Sequence, residues 1–121
     1  MVYRELGRTG LRVSEIGMGC EGLVGRTEAE VGAYLDAMEE LGVNCLDLYT
    51  PDPGLRAHLG AALRGRREKF VLQAHLCSVW KDGQYKRTRD PAEVRAGFED
   101  FLARESTGHV EIGMLHYVDS V

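Results

Sequence analysis

The feature that most constrains this chain is a strand–helix–strand pattern between Gly42 and His75. The apolar run from Val43 to Tyr49 predicts a strand, Pro53 to Leu63 a helix of about three turns, and Lys69 to His75 a second strand. Because a helix joins the two apolar strands, they should lie parallel with a right-handed crossover. The pattern therefore predicts an α/β fold, with both carboxyl ends at the sheet edge where such folds keep their chemistry.

Capping signals mark two further helices. Thr27, with Glu30 three residues later, predicts a capping box, and the helix that follows should end at Gly42. Asp90 directly before Pro91 predicts another helix start, since aspartate caps a helix and proline suits its first position. Each helix has an apolar stripe that we expect to be buried: Val31, Leu35, Met38 and Leu41 in the first, and Val94, Phe98, Phe101 and Leu102 in the second.

The rest of the chain predicts short elements around this framework. Tyr3 to Leu6 and Leu11 to Val13 flank Gly-Arg-Thr-Gly and predict a β-hairpin, and Ile16 to Gly19 predicts a short strand. The polar stretch from Cys77 to Arg89 is long for a connection between a strand and a helix, which favours a lid or binding loop. A last strand is expected from about Val110 to Tyr117.

Length and composition favour one domain with neither nucleic acid nor a membrane as partner. With 121 residues, 44% of them hydrophobic, and a net charge of −4, the chain has one modest core and no polyanion-binding surface. No apolar run approaches the roughly 20 residues of a membrane helix, and the start lacks signal-peptide features. Three cysteines without a CxxC pair indicate neither a disulfide framework nor a zinc ribbon. We expect a cytoplasmic protein in which residues 1–14 form a hairpin and 15–121 form four parallel strands with three helices.

Polar side chains end three neighbouring strands of the expected sheet. Because side chains alternate along a strand, residues of one face can be sorted by parity. Three series run from apolar to polar: Val43, Cys45 and Asp47; Val71, Gln73 and His75; Ile112, Met114 and His116. Each final residue could be a separately satisfied polar side chain, but three at one edge favour a functional cluster of Asp47, His75 and His116.

Four segments follow one another in a characteristic order: YRELGRTGLRVSEIGMGC, ELGVNCLDLY, LGAALRGRREKFVLQ and HVEIGMLHYVD. They resemble, in turn, the opening hairpin and first strand of the aldo-keto reductase family, its catalytic-aspartate segment, its second helix and third strand, and its fourth strand with the catalytic histidine. The resemblance implies the N-terminal half of a (β/α)8 TIM barrel, preceded by the hairpin and ending after the fourth barrel strand. It also implies an oxidoreductase that reduces small carbonyl compounds with NADP(H) or NAD(H) in the full-length protein.

The family's chemistry uses a tyrosine as general acid, a lysine that lowers its pKa, an aspartate that pairs with the lysine, and a histidine that orients the carbonyl. Asp47 and His116 match the last two positions. The lysine position falls on His75 and the tyrosine position on Asp52, which precedes a proline and is better interpreted as a helix N-cap. Tyr49 is the nearest phenol, and His75 could favour its phenolate, so the catalytic candidates are Asp47, Tyr49, His75 and His116. These departures suggest a divergent subgroup, resembling members with a C-terminal iron–sulfur extension.

The resemblance covers only the first half of a barrel, which needs about 250 residues when complete. In the family, most contacts to the cofactor's phosphates and adenosine come from the second half. We therefore expect Gly19 and Asp47 to contact the nicotinamide end, and this chain alone to bind the cofactor weakly and to be inactive. A half-barrel also has two free strand edges and an uncovered apolar inner face, so we expect self-association or pairing with a missing C-terminal half.

Two alternatives stay open at this point. Asp47, His75 and His116 could form the two-histidine, one-carboxylate site of a metal-dependent TIM-barrel enzyme, although no HxH or HExxH spacing supports it. The chain could instead be a non-enzymatic half-barrel that serves as an assembly module.

Overall fold

Residues 1–116 and 118 are described by the computed structural model, and they form an α/β fold. The strands are β1 (Tyr3–Glu5), β2 (Arg12–Ser14), β3 (Gly17–Gly19), β4 (Cys45–Leu48), β5 (Val71–His75), β6 (Ser78–Lys81), β7 (Gln84–Arg87) and β8 (Ile112–Met114). The helices are α1 (Glu28–Leu41), α2 (Pro53–Ala62) and α3 (Pro91–Arg104), with 3₁₀ turns at Cys20–Leu23 and Arg67–Lys69. No helix in this described part of the chain combines the length and the apolar character needed to cross a membrane.

A parallel sheet of four strands, in the order β3-β4-β5-β8, is the centre of the fold. Gly19 pairs with Asp47, and Asp47 pairs with Gln73. On the other side, His75 pairs with Met114. The predicted β-α-β unit is confirmed, because β4 and β5 are adjacent and parallel and α2 connects them. Among the described residues the sheet is open, with β3 and β8 as its edges.

Alternation along the strands places the core on one face of the sheet. The buried cluster includes Leu46, Leu48, Leu72 and Ala74 from the strands, and Leu35, Leu59 and Phe101 from the helices. Each leucine that is removed from water stabilises the fold by about 2 kcal/mol. On the opposite face Cys45 and Ile112 are only half-buried. This is the inner face that the half-barrel interpretation leaves uncovered.

Helix α1 begins with the predicted capping box. The Thr27 hydroxyl accepts a hydrogen bond from the Glu30 backbone N–H at 3.3 Å, and the Glu30 carboxylate accepts one from the Thr27 N–H at 2.8 Å. The helix ends at Gly42, whose φ of 73° lies in the left-handed region that glycine adopts freely. Burial of Leu41 was wrongly predicted, because its side chain is 67% exposed. Met38 is the last residue of the stripe above the sheet, since the chain turns away directly after Leu41.

The polar stretch between β5 and α3 is a β-hairpin, and its prediction as a loop is wrong. Strands β6 and β7 are antiparallel, with Trp80 opposite Tyr85. Asp82 and Gly83 connect them with φ values of 54° and 73°, the positive pair that a two-residue type I′ turn requires. Most hairpin side chains beyond Val79 are exposed on both faces, so the alternation that reveals a strand is missing.

Strand ends also differ from prediction. The strand predicted from Val43 to Tyr49 spans Cys45–Leu48, and the one predicted from Lys69 begins at Val71. The last strand is Ile112–Met114, and the predicted end at Tyr117 lies outside the described residues. Apolar residues continue beyond the paired part of each strand, whereas the hydrogen bonds to the neighbouring strand decide where the strand ends.

Candidate active site

The carboxyl edge of the sheet brings together the three polar side chains selected by parity. His75 Nε2 lies 2.8 Å from Asp47 Oδ1, and His75 Nδ1 lies 3.3 Å from His116 Nδ1. Gln73 also donates from Nε2 to Asp47 Oδ1 at 2.9 Å. The His75 side chain is 9% exposed and the Asp47 side chain is 42% exposed, so the imidazole is largely buried while the carboxylate is accessible to solvent.

His116 is held by its backbone as well as by its ring. The Arg89 guanidinium donates to the His116 carbonyl oxygen at 2.8 Å. Burial lowers the pKa of the His116 imidazole, and the positive charges of His75, Arg89 and Arg87 lower it further. The neutral ring is therefore favoured near pH 7, which leaves His116 able to offer an N–H without carrying a charge.

The hydrogen bonds of the cluster define a path for a proton. The His75 Nε2–H donates to the Asp47 carboxylate, which can only accept while it is ionised. When His75 is protonated, its Nδ1–H donates to Nδ1 of His116, and the proton of a neutral His116 then resides on Nε2. When His75 is neutral, its Nδ1 accepts a hydrogen bond, and the Nδ1–H of His116 donates it. The proton between the two rings can thus reside on Nδ1 of His75 or on Nδ1 of His116.

Tyr49 joins this cluster, although it lies just beyond the end of β4. Its ring makes an edge contact with His75 at a centroid distance of 5.0 Å, and its centroid is 5.7 Å from that of His116. Its hydroxyl lies 2.8 Å from the hydroxyl of Tyr85 on β7. Tyr85 is not among the catalytic residues predicted from the sequence, where local packing is the favoured role for an aromatic residue of this segment. The Asp82-Gly83 turn signal could have revealed the hairpin that carries it.

The other two sequence candidates have different surroundings. Asp52 is an N-cap: its Oδ1 accepts from the Leu55 backbone N–H at 2.7 Å, so the N-cap interpretation is confirmed. Gly19 lies beside Asp47 on the edge strand, and a Cβ placed there would meet no atom within 4 Å. This leaves open space at the backbone of Gly19, next to the carboxylate.

Among the described residues no metal centre is found, and the cavity along α3 is separate from the polar cluster. Within residues 1–116 and 118, no group of three or more histidine, cysteine, aspartate or glutamate side chains has an arrangement that could hold a metal ion. A cavity of about 690 Å³ lies along α3 instead, lined by residues that include Leu76, Arg89, Val94, Phe98 and Leu102. None of the candidate residues lines it. The polar cluster is therefore the candidate site, because reaction chemistry needs titratable groups in hydrogen-bond contact.

Comparison with known proteins identifies oxidoreductases. No family model matches the chain. It is 32% identical to the uncharacterized oxidoreductase YqkF of Bacillus subtilis, with 96% of this chain and 39% of that protein aligned. A candidate aldo-keto reductase of Pseudomonas aeruginosa is 31% identical, with a TM-score of 0.83, over 96% of this chain and 47% of that one. An aldo-keto reductase of Bacillus halodurans in its holo form is 29% identical, with a TM-score of 0.82, over 95% of this chain and 40% of that one.

A more distant structure, an aldo-keto reductase of Klebsiella pneumoniae in complex with NADPH, has 21% identity and a TM-score of 0.66 over 93% of this chain and 38% of that one; it shows the shared fold alone. The chain thus spans less than half the length of these relatives. The resemblance stated from the sequence is confirmed: the chain is similar to the N-terminal part of aldo-keto reductases, and its open sheet corresponds to that part of their barrel.

Proposed function

We propose, from this similarity to the N-terminal part of aldo-keto reductases, that the chain supplies the acid–base residues of an NAD(P)H-dependent carbonyl reductase. The observation that carries the proposal is the hydrogen-bonded series Asp47, His75 and His116, with Tyr49 packed against both imidazoles. Small aldehydes or ketones are the proposed substrates. Free thiols at all three cysteines support a reducing compartment such as the cytoplasm.

The residues present fit the nicotinamide end of the cofactor. Free space beside Gly19 lets a flat ring approach the edge strand next to Asp47. When bound, the reduced nicotinamide supplies a hydride to the carbonyl carbon. Residues that hold the phosphates are proposed to lie in the part of the relatives that this chain does not span. The 121-residue chain alone should therefore bind NADPH only weakly.

Proton transfer is the step assigned to this chain. Tyr49 gives its hydroxyl proton to the carbonyl oxygen as the carbon accepts the hydride, so that an alcohol and a phenolate form. His75, paired with Asp47 and adjacent to the Tyr49 ring, places positive charge near that phenolate when it is protonated. Neutral His116 orients the carbonyl by donating an N–H. His75 thus takes the place of the lysine in the family pattern.

A chimeric enzyme tests the proposal. Residues 1–121 would be joined to the portion of the Bacillus subtilis oxidoreductase that the alignment leaves uncovered, and NADPH oxidation would be followed at 340 nm with small aldehydes. We expect turnover that falls about 100-fold or more in Tyr49→Phe and in Asp47→Asn. Tyr34→Phe, an exposed tyrosine on α1, is the matched control. A chimera that binds NADPH and turns over equally well in all variants would remove these residues from the mechanism.

We also propose that a second half covers the inner face. Support comes from β3 and β8, which are the edges of the sheet in the described part of the chain, and from the half-buried Cys45, Ile112 and Met114 on that face. The second half is either another copy of this chain or the remainder of a longer protein. Light scattering of the 121-residue chain at micromolar concentration should show a dimer or larger species. A monodisperse monomer that melts cooperatively contradicts this.

A further inference from the structure

A second phenol reaches the candidate site from the β6–β7 hairpin. The Tyr85 and Tyr49 hydroxyl oxygens are 2.8 Å apart, the usual distance of an O–H···O hydrogen bond. The ring centroids are 5.6 Å apart, so the two side chains also pack against each other. Thirty-six positions separate the residues in sequence, and only the folded hairpin brings them together.

The hairpin that carries Tyr85 is anchored on α3. Glu93 accepts hydrogen bonds from Lys81, the last residue of β6, at 2.5 Å and from the hydroxyl of Thr88, the residue after β7, at 2.6 Å. These bonds connect the hairpin to the first turn of the helix. Val79 packs so closely on Gly97 that a Cβ there would lie 2.8 Å from a valine methyl carbon. Tyr85 therefore lies on a hairpin that is held in place by its contacts with α3, and not on an unsupported loop.

We propose that Tyr85 is a positioning residue that donates its hydroxyl hydrogen to Tyr49 and thereby directs the Tyr49 proton to the substrate. This rests on the proposed function. Only one proton can lie between two hydroxyl oxygens, so the acceptor keeps its own proton for another partner. At this distance either oxygen could donate. We assign Tyr49 as the acceptor because it is the proposed general acid and lies against both imidazoles of the site, so its own proton is needed for the carbonyl oxygen.

The hydrogen bond also strengthens as the reaction proceeds. The O–H bond of Tyr49 breaks and a new O–H bond forms on the carbonyl oxygen, while the hydride from the reduced nicotinamide adds to the carbonyl carbon. Tyr85 keeps its proton throughout. Because negative charge develops on the Tyr49 oxygen, a donor already aimed at that oxygen stabilises the transition state more than the ground state.

Kinetics of the chimeric enzyme test this role. We expect Tyr85→Phe to lower kcat about 10- to 100-fold, to leave KM nearly unchanged, and to move the basic limb of the pH profile to higher pH. Tyr49→Phe should lower kcat further, and the double variant should be no worse than Tyr49→Phe alone. Tyr34→Phe is again the control, and Tyr85→Leu is the second variant. Equal kcat in Tyr85→Phe and wild type, or an enzyme that tolerates loss of Tyr49 but not of Tyr85, overturns the assignment.

A spectroscopic measurement separates failure of this inference from failure of the proposed function. In the 121-residue chain labelled with ¹³C at tyrosine Cζ, the Tyr49 signal is identified by its loss in Tyr49→Phe. We expect it to titrate at higher pH in Tyr85→Phe than in wild type, and to be unchanged in Tyr34→Phe. If the chimera is inactive but this difference is present, only the proposed function fails. If the signal titrates at the same pH with and without the Tyr85 hydroxyl, the positioning role is excluded.

Discussion

Glu105 is a buried carboxyl group that makes the stability of this protein depend on pH. It directly follows α3, is 2% exposed, and within the described residues neither carboxyl oxygen has a hydrogen-bond partner. Among the described residues, its charge interacts with those of Arg56 on α2, Arg67 in the second 3₁₀ turn and Cys20 in the first 3₁₀ turn. Burial raises the pKa of Glu105 to about 8, although the two arginines oppose this.

The direction of the effect follows from the proton balance. In the unfolded chain Glu105 ionises near its ordinary pKa of 4.5, whereas the folded chain holds the proton up to about pH 8. Between these values unfolding releases a proton, so a rise in pH favours the unfolded state. The free energy of unfolding should fall by about 1.4 kcal/mol per pH unit in this window, which amounts to about 3 kcal/mol between pH 4.5 and pH 7.

Glu105→Gln removes the titration while keeping the shape of the neutral acid. Urea denaturation at pH 5, 6, 7 and 8, followed by the fluorescence of Trp80, the single tryptophan, gives the free energy of unfolding. Glu99→Gln, at an exposed position on α3, is the matched control. We expect wild type and Glu99→Gln to lose stability as the pH rises, and Glu105→Gln to lose much less. The same pH slope in all three proteins would refute a buried, protonated Glu105.

Two further predictions concern local packing and capping. Gly60→Ala should destabilise the chain by on the order of 3 kcal/mol, because the new alanine Cβ would lie 2.2 Å from the Arg104 carbonyl oxygen. Gly108→Ala is the control: an alanine Cβ at that position meets nothing within 4 Å, so the urea midpoint should change little. Asp52→Ala should cost about 1 kcal/mol by removing the cap on the Leu55 N–H, whereas a catalytic Asp52 would leave the urea midpoint unchanged and abolish turnover of the chimera.

Local signals in the sequence predicted most of the framework. The start of α1 at Thr27 and of α3 at Asp90 depends on hydrogen bonds between residues two or three apart, which the sequence contains completely. The meeting of Asp47, His75 and His116 was also predictable. Parallel strands align their carboxyl ends, and alternation fixes which side chains share a face, so fold class and parity together determine the cluster.

Only the tertiary structure decided the features that depend on distant partners. The hydroxyl contact between Tyr49 and Tyr85 requires a hairpin whose strands show no apolar alternation, and that hairpin is fixed by its packing on α3. Glu105 ends a helix, a position that is usually solvated, yet it is buried, and its backbone packs against Gly60 of α2. Such contacts join residues that are tens of positions apart. No local pattern in the sequence encodes them, because their free energy exists only once the elements have packed together.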